Sequence, residues 1–164
     1  MYLAHIVLSV TTVSPPPGDG VRVRQATTAD LLDVHRIEQS AFPQPWPFAA
    51  FEQFVGQPGF LVADSGIVVG YVVADTVAGY GRQIGHIKDL AVRADRRREG
   101  IASTLLARAI AVLETHSITA VKLEVRESND GARELYHRHD FSYRKTLPNY
   151  YADGEDGLVL VRPV

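Results

Sequence analysis

The sequence predicts an α/β (α+β) protein in which a central mixed sheet carries helices on both faces. Segments rich in β-branched residues alternate with segments whose apolar residues recur at helical spacing. From Val21 to Val164 they run β, α, α, β, β, β, α, β, α, β, β. The chain has 164 residues, 46% hydrophobic and 22% charged, which suits one domain with a full core. No internal repeat interrupts that order.

Residues 1–20 stand apart from the domain expected over 21–164. "MYLAHIVLSVTTVS" is apolar but lacks a basic start, so it makes a poor signal peptide. "SPPPGDG" then forms a stiff polar break, and the whole stretch is read as a flexible N-terminal extension. The domain opens with "VRVRQ", alternating apolar and basic as a half-buried strand does. In "TTADLLDVHRIEQSAF", Thr27 or Thr28 can cap a helix whose apolar stripe is Leu31, Val34, Ile37 and Ala41. "PQPWP" stops that helix, and "FAAFEQFV" reads as a second, short one.

"GFLVADSGIVVGYVVADTV" reads as a hairpin turning at Asp64-Ser65-Gly66. "GYGRQIG" reads as a loop, with glycines wrongly spaced for a dinucleotide motif and no helix after them. "HIKDLAV" is a strand, followed by an arginine-rich turn and a helix from about Glu99 to Thr115. "AVKLEVR" is a strand and "SNDGARELYHRH" a helix capped by Ser128 or Asn129. "FSYRKT" and "GLVLVRP" close the domain as strands on either side of "LPNYYADGED".

Composition excludes several classes of function. A formal net charge of -2 argues against a dedicated nucleic-acid binder. The absence of cysteine removes disulfides, thiolate metal sites and a cysteine nucleophile. No apolar run is long enough to span a membrane, so a cytoplasmic protein is expected. His137 and His139 diverge on a helix, and no metal site is expected there.

In "RADRRREGIASTLLARAI" a strand end, four arginines and Gly100 precede a helix. Backbone N–H groups at a helix start lack internal partners and share the positive end of the dipole. With small residues at Gly100 and Ala102, phosphate oxygens can approach that backbone, and a pyrophosphate suits it. Arg93 and Arg96 are expected to lie outside the grip. The alternative is a solvated helix start with spare arginines; a Walker-type loop is excluded by its missing Gly-x-x-x-x-Gly-Lys.

Arg97-x-x-Gly100-x-Ala102 resembles the acyl-CoA motif of the GNAT acetyltransferases, and the element order from Val21 to Val164 resembles theirs. "LEVRESNDGARELYHRHDF", "NYYADGED" and "AFPQPWP" further resemble stretches of the N-terminal acetyltransferases of the RimI type. The resemblance implies the GNAT fold, a mixed and mostly antiparallel sheet. It implies acetyl-CoA as co-substrate and no metal. Leu90, Ala91 and Val92 would line the pantetheine and acetyl group. Arg97, Arg98, Glu99, Gly100, Ile101, Ala102 and Ser103 would hold the phosphates, and Asn129 would bond the pantetheine arm. Asn129 capping its helix is compatible with that role.

Acetyl transfer needs a neutral amine and a proton for the leaving thiolate. An α-amine titrates near pH 8, about 2 units below a lysine amine, so it needs less help to lose its proton. Alternation in "AVKLEVR" puts Glu124 opposite the apolar face of Leu123 and Val125. The resemblance makes Glu124 the general base and Tyr136 the acid, with direct attack in a ternary complex. The structural alternatives are a Glu124 paired with Lys122 or Arg126 and a Tyr136 that anchors its helix. His86 is a candidate to hold a water beside Glu124, or is an ordinary strand-end histidine. Phe42, Pro43, Pro45 and Trp46 on one side and Tyr150 and Tyr151 on the other are candidate walls for a protein N-terminus. The alternative is that these aromatics pack the domain's edge. Gln44 stands where some relatives carry an acid.

The expected partners are protein N-termini, a ribosomal protein with N-terminal alanine among them, and neither nucleic acid nor membrane. Two alternatives remain: the same chemistry on lysine side chains or small amines, and a non-catalytic acyl-CoA-binding module.

Overall fold

The computed structural model describes residues 20–79 and 81–164; the extension expected over 1–20 lies, but for Gly20, outside the described residues. The strands are β1 (Arg22–Gln25), β2 (Phe60–Asp64), β3 (Val68–Gly79), β4 (Arg82–Val92), β5 (Ile118–Arg126), β6 (Ser142–Leu147) and β7 (Gly157–Pro163). The helices are α1 (Leu31–Ala41), α2 (Phe48–Glu52), α3 (Ile101–Glu114) and α4 (Asp130–Arg138). The seven strands form one sheet in the order β1-β2-β3-β4-β5-β7-β6. Among the described strands only β4 and β5 pair in parallel, joined by the α3 crossover.

Central strands carry near-continuous apolar runs because both faces of the sheet are covered. Leu61 and Ala63 of β2 join a core with Leu105, Leu106 and Leu113 of α3. Phe60 and Val62 join a second core with Leu31 and Val34 of α1 and Phe51 of α2. The helices therefore lie on both faces, as the sequence predicts.

Three local outcomes differ from the sequence reading. Thr27 caps a short 3-10 turn, Thr28–Asp30, which feeds α1. Arg24 clamps that turn, holding Asp30 at 2.8 Å and Asp64 at 3.0 Å. Its hydrogen bond keeps the Asp30 carboxyl below the usual range despite burial. Of the loop expected at "GYGRQIG", Gly79 ends β3 and Arg82–Gly85 belong to β4. The residues are polar because this arm is half-exposed, and pairing such as Val77 with Ile84 makes it strand. The long helix starts at Ile101, after Gly100 in the left-handed region at φ 80°.

The parallel β4–β5 register ends at Ile87 opposite Leu123, although both strands continue. Beyond it β4 follows β3, and β5 follows β7. A bulge marks the parting: Val73 faces Asp89 and Ala74 faces Ile87, leaving Lys88 extra. As a result Lys88 and Asp89 reach the same side, Lys88 over the Phe54 ring and Asp89 to Tyr71. The opening between the two strands is the cleft described below.

Gly59 lies where β2 begins, its carbonyl bonded to the Ala74 N–H at 3.0 Å. A Cβ there would fall 2.2 Å from the Ala74 carbonyl oxygen. Gly59→Ala is expected to lower unfolding stability by roughly 1–3 kcal/mol, measured by denaturant titration.

Candidate active site

Two cavities meet in the opening between β4 and β5. The larger, about 960 Å³, runs over the start of α3 and along α4. The smaller, about 480 Å³, lies between the α1–α2 connection and the end of β5. Leu90, Asn129 and Tyr136 line both, so they mark the junction.

The larger cavity is lined by Leu90, Ala91, Val92, Arg97, Arg98, Gly100, Ile101, Ala102 and Ser103. No side chain caps the start of α3. Arg98 at φ 64° and Gly100 at φ 80° both have left-handed φ, the kind of backbone from which anion-binding nests are built. A Cβ on Gly100 would meet nothing within 4 Å, so the space beside that backbone is open. Glu99 is not among the lining residues; it bonds Arg96 at 2.8 Å. Arg93 pairs with Asp95 at 2.8 Å and is not among the lining residues. Arg96 does line the cavity, contrary to expectation, because the 3-10 turn Ala94–Arg96 folds it back, tied to Glu99 and to Ser65 Oγ.

Asn129 caps α4 through Oδ1, which accepts the Ala132 N–H at 3.2 Å. That leaves its amide N–H groups for a ligand. Across the cavity Ser103 Oγ lies 2.7 Å from His139 Nε2, a pairing that sequence spacing of 36 residues conceals.

In the smaller cavity, Glu124 sits 2.6 Å from His86 Nε2 and 3.2 Å from Lys122 Nζ. His86 thus touches Glu124 directly, and of the two pairings weighed for Glu124 the structure has Lys122. Burial acts to raise the Glu124 carboxyl, but His86 and Lys122 outweigh it and hold it below its usual range. Tyr136 packs against Phe141 at 5.9 Å and faces both cavities. Burial pushes its phenol well up, with Asp89 and Tyr151 adding to the shift.

Phe42, Pro43, Gln44 and Trp46 form one wall of the smaller cavity, and Tyr151 part of the other. Arg126 stacks 4.1 Å from the Tyr151 ring and binds Asp153 at 2.8 Å and Glu155 at 3.0 Å. Glu155 also accepts the Ser128 N–H at 2.9 Å. Tyr150 lines neither cavity; it is 50% exposed, edge-on to Tyr151, with its ring over Gly157. The walls touch where Gln44 Oε1 accepts the Ala152 N–H at 3.3 Å.

Glu38, Tyr71 and Asp89 form a buried polar cluster below this cavity that the sequence reading passed over. Two signals were present. Glu38 falls on the apolar stripe of α1, seven residues after Leu31, and Lys88-Asp89 breaks the alternation of "HIKDLAV". Among the described residues no cluster of histidines and carboxylates suits a metal ion. No helix among them is long and apolar enough to cross a membrane.

Comparison with known proteins places this geometry in a family. The acetyltransferase (GNAT) family model matches residues 31–141. An N-alpha-acetyltransferase of Sulfolobus acidocaldarius is 35% identical over 87% of this chain and 92% of its own. A ribosomal protein bS18-alanine N-acetyltransferase of Escherichia coli is 30% identical over 84% and 93%. The crystal structure of Ard1 from Thermoplasma volcanium superposes with a TM-score of 0.80 at 29% identity, covering 88% of this chain and 98% of that one. With strands that part around a motif loop at a helix start, and with these relatives, the chain belongs to the GNAT acetyltransferase family.

Proposed function

We propose that the protein is an N-α-acetyltransferase that uses acetyl-CoA to acetylate protein amino termini. The observation that carries this reading is an acceptor cavity walled on two sides by loops that touch each other. The Gln44–Ala152 contact joins the two loops that flank it, and the Arg126 ion pairs fix the second loop. A chain end fits such a cavity, whereas a lysine in mid-chain needs an open groove. The names of the relatives support the same substrate class, and the E. coli relative makes a ribosomal protein one candidate target.

Acetyl-CoA supplies the acetyl group as a thioester. The nest from Arg97 to Ser103 suits its pyrophosphate, with Arg97 and Arg98 as support and Glu99 turned away toward Arg96. Leu90, Ala91 and Val92 lie on the stretch of β4 that β5 has left; the Leu90 N–H is held by Asp89 Oδ1 at 2.9 Å and the Val92 carbonyl by Arg97 Nε at 3.3 Å, and the rest of that edge, without a strand partner, suits the pantetheine arm. The Asn129 amide is the further donor to that arm. The amine attacks directly: a C–N bond forms, the C–S bond breaks, Glu124 takes the amine proton and Tyr136 returns one to sulfur. His86 and Lys122 keep Glu124 ionised and aimed. The raised Tyr136 phenol keeps its proton until sulfur needs it. Phe42, Pro43 and Tyr151 flank the incoming residues, with Tyr150 at the rim.

Purified protein incubated with acetyl-CoA and peptides beginning Ala, Ser or Met should acetylate the α-amine; acetylation confined to internal lysines would overturn the reading. Glu124→Gln and Tyr136→Phe should each lower kcat by roughly 100-fold or more, with CoA affinity by calorimetry nearly unchanged. Gly100→Val should raise the acetyl-CoA KM more than Arg96→Ala, because it strains a left-handed residue and fills the nest, whereas Arg96 is held by Glu99 and Ser65.

The pH profile has a defined sign. The Glu124 pKa is depressed, so the base stays ionised until pH falls below the ordinary carboxylate range. The acid limb of kcat/KM should therefore follow the α-amine of the peptide, at about pH 8, and move with peptides whose amine pKa differs.

A further inference from the structure

Glu38 of α1, Tyr71 of β3 and Asp89 of β4 meet beneath the acceptor cavity, and acetyl transfer as proposed makes no use of them. Glu38 is 2% exposed and Tyr71 0%. The Tyr71 hydroxyl bonds Glu38 Oε2 and lies 3.0 Å from Asp89 Oδ2. The remaining carboxylate oxygens are engaged. Glu38 Oε1 accepts the Trp46 N–H at 2.7 Å, and Asp89 Oδ1 accepts the Leu90 N–H at 2.9 Å.

Counting protons constrains the state of this cluster. A phenol has one proton and donates one hydrogen bond. Its oxygen is in contact with two carboxyl oxygens, so the second contact requires a proton on a carboxyl group. Two arrangements satisfy every atom, with the proton on either carboxyl; with it on Asp89, the group that lines the cavity beside Glu124, Asp89 donates to the Tyr71 oxygen, Tyr71 donates to Glu38, and Glu38 accepts from Trp46. Two bare carboxylates around one phenol would leave a buried repulsion instead. Burial, then the Glu38 charge and hydrogen bond, push the Asp89 carboxyl well above its usual range, in keeping with that count. Burial likewise pushes the Tyr71 phenol far up, so it keeps its proton.

We propose that Glu38, Tyr71 and Asp89 form a one-proton relay that makes Asp89 a positioning residue, holding it as a neutral acid beneath the attacking amine. The proposal rests on the reading of the cavity as the site of a peptide amino terminus. Asp89 lines that cavity with Glu124. An ionised Asp89 would favour the ammonium form of the amine, which cannot attack. Kept neutral, it leaves Glu124, already paired with His86 and Lys122, as the carboxylate that meets the amine. Through Glu38 the relay also fixes the backbone at Trp46, on the wall that carries Phe42 and Pro43.

The titratable and charged groups around Asp89 are Glu38 on α1, Tyr71 on β3, Lys88 on its own strand, Glu124 and Arg126 on β5, Tyr136 on α4 and Tyr151 in the β6–β7 loop. The Asp89 pKa is raised, so the relay is complete below it and is lost as pH rises through it.

Trp46 is the chain's one tryptophan, so its emission reports the relay without substrate. As pH is raised above the ordinary carboxylate range, the wild type should show a reversible transition in Trp46 emission. Asp89→Asn should lack it, because the amide makes the same two bonds with no proton to lose. Glu38→Gln should move it toward acid, since the Tyr71 proton then becomes available to Asp89 and the neighbouring charge is gone. Across the wild-type transition, kcat/KM for a peptide should fall roughly tenfold relative to that of Asp89→Asn at the same pH, the scale of one hydrogen bond to a charged group. Asp89→Asn should show only the limb set by the peptide amine, and the acetyl-CoA KM should stay flat in both proteins. An emission transition that persists in Asp89→Asn, or none in the wild type, overturns the relay. A transition with no accompanying change in peptide turnover overturns the positioning role. Failure to acetylate any peptide would count against the proposed function alone, and Trp46 emission would still decide the relay.

Discussion

The parting of β4 and β5 is the constraint on which the rest of the structure depends. Two parallel strands that stay paired present no free backbone and no space between them. Here pairing stops at Ile87 and Leu123, and each strand is held afterward by a neighbour on its outer side. That support is what lets the sheet open without unravelling. Backbone polar groups on the inner edges then lack strand partners, which a buried strand does not tolerate unless something else bonds them. A ligand with its own amide groups, such as a pantetheine arm, meets that need.

Burial and charge divide the cleft into regions of different character. At the start of α3 the backbone amides and Arg97 and Arg98 make a cationic end. At the far end, acidic groups gather: Glu124 paired with His86 and Lys122, and Glu38 with Asp89 around Tyr71. Tyr136 lies between the two regions, neutral because its surroundings disfavour a phenolate. An anionic carrier and a cationic amine would therefore approach a common junction from ends of opposite sign, and neither end suits the other's ligand.

Much of this could be read from local sequence. The order of elements and the placement of Glu124 off the apolar face follow from periodicity and turn chemistry, which act over a few residues. What escaped depends on contacts between distant positions. The "GYGRQIG" segment looks like a loop because its residues are polar and glycine-rich, but pairing along the β3–β4 arm makes most of it strand. Gln44 meets Ala152 across 108 residues, and Tyr71 meets Glu38 across 33. No local pattern encodes such a meeting; only the misfit of Glu38 within an apolar stripe hints at it. Arg96 shows the limit differently, since a charge count cannot tell which arginine a short 3-10 turn will fold inward.

The loop between β6 and β7 carries a kinetic consequence. Its residues are ordered by the Arg126 ion pairs, the stacking of Tyr151 and the Asn149 N–H bonded to Asp156 at 2.9 Å. Ordering a loop of this kind costs conformational entropy of about 1–2 kcal/mol per residue. Here that cost is met once, when the chain folds, and not again at every turnover. Encounter with a substrate then resembles entry into a rigid socket rather than the folding of a lid. Residence time would be governed by how well the end of a chain fits, and departure would not have to wait for the loop to melt.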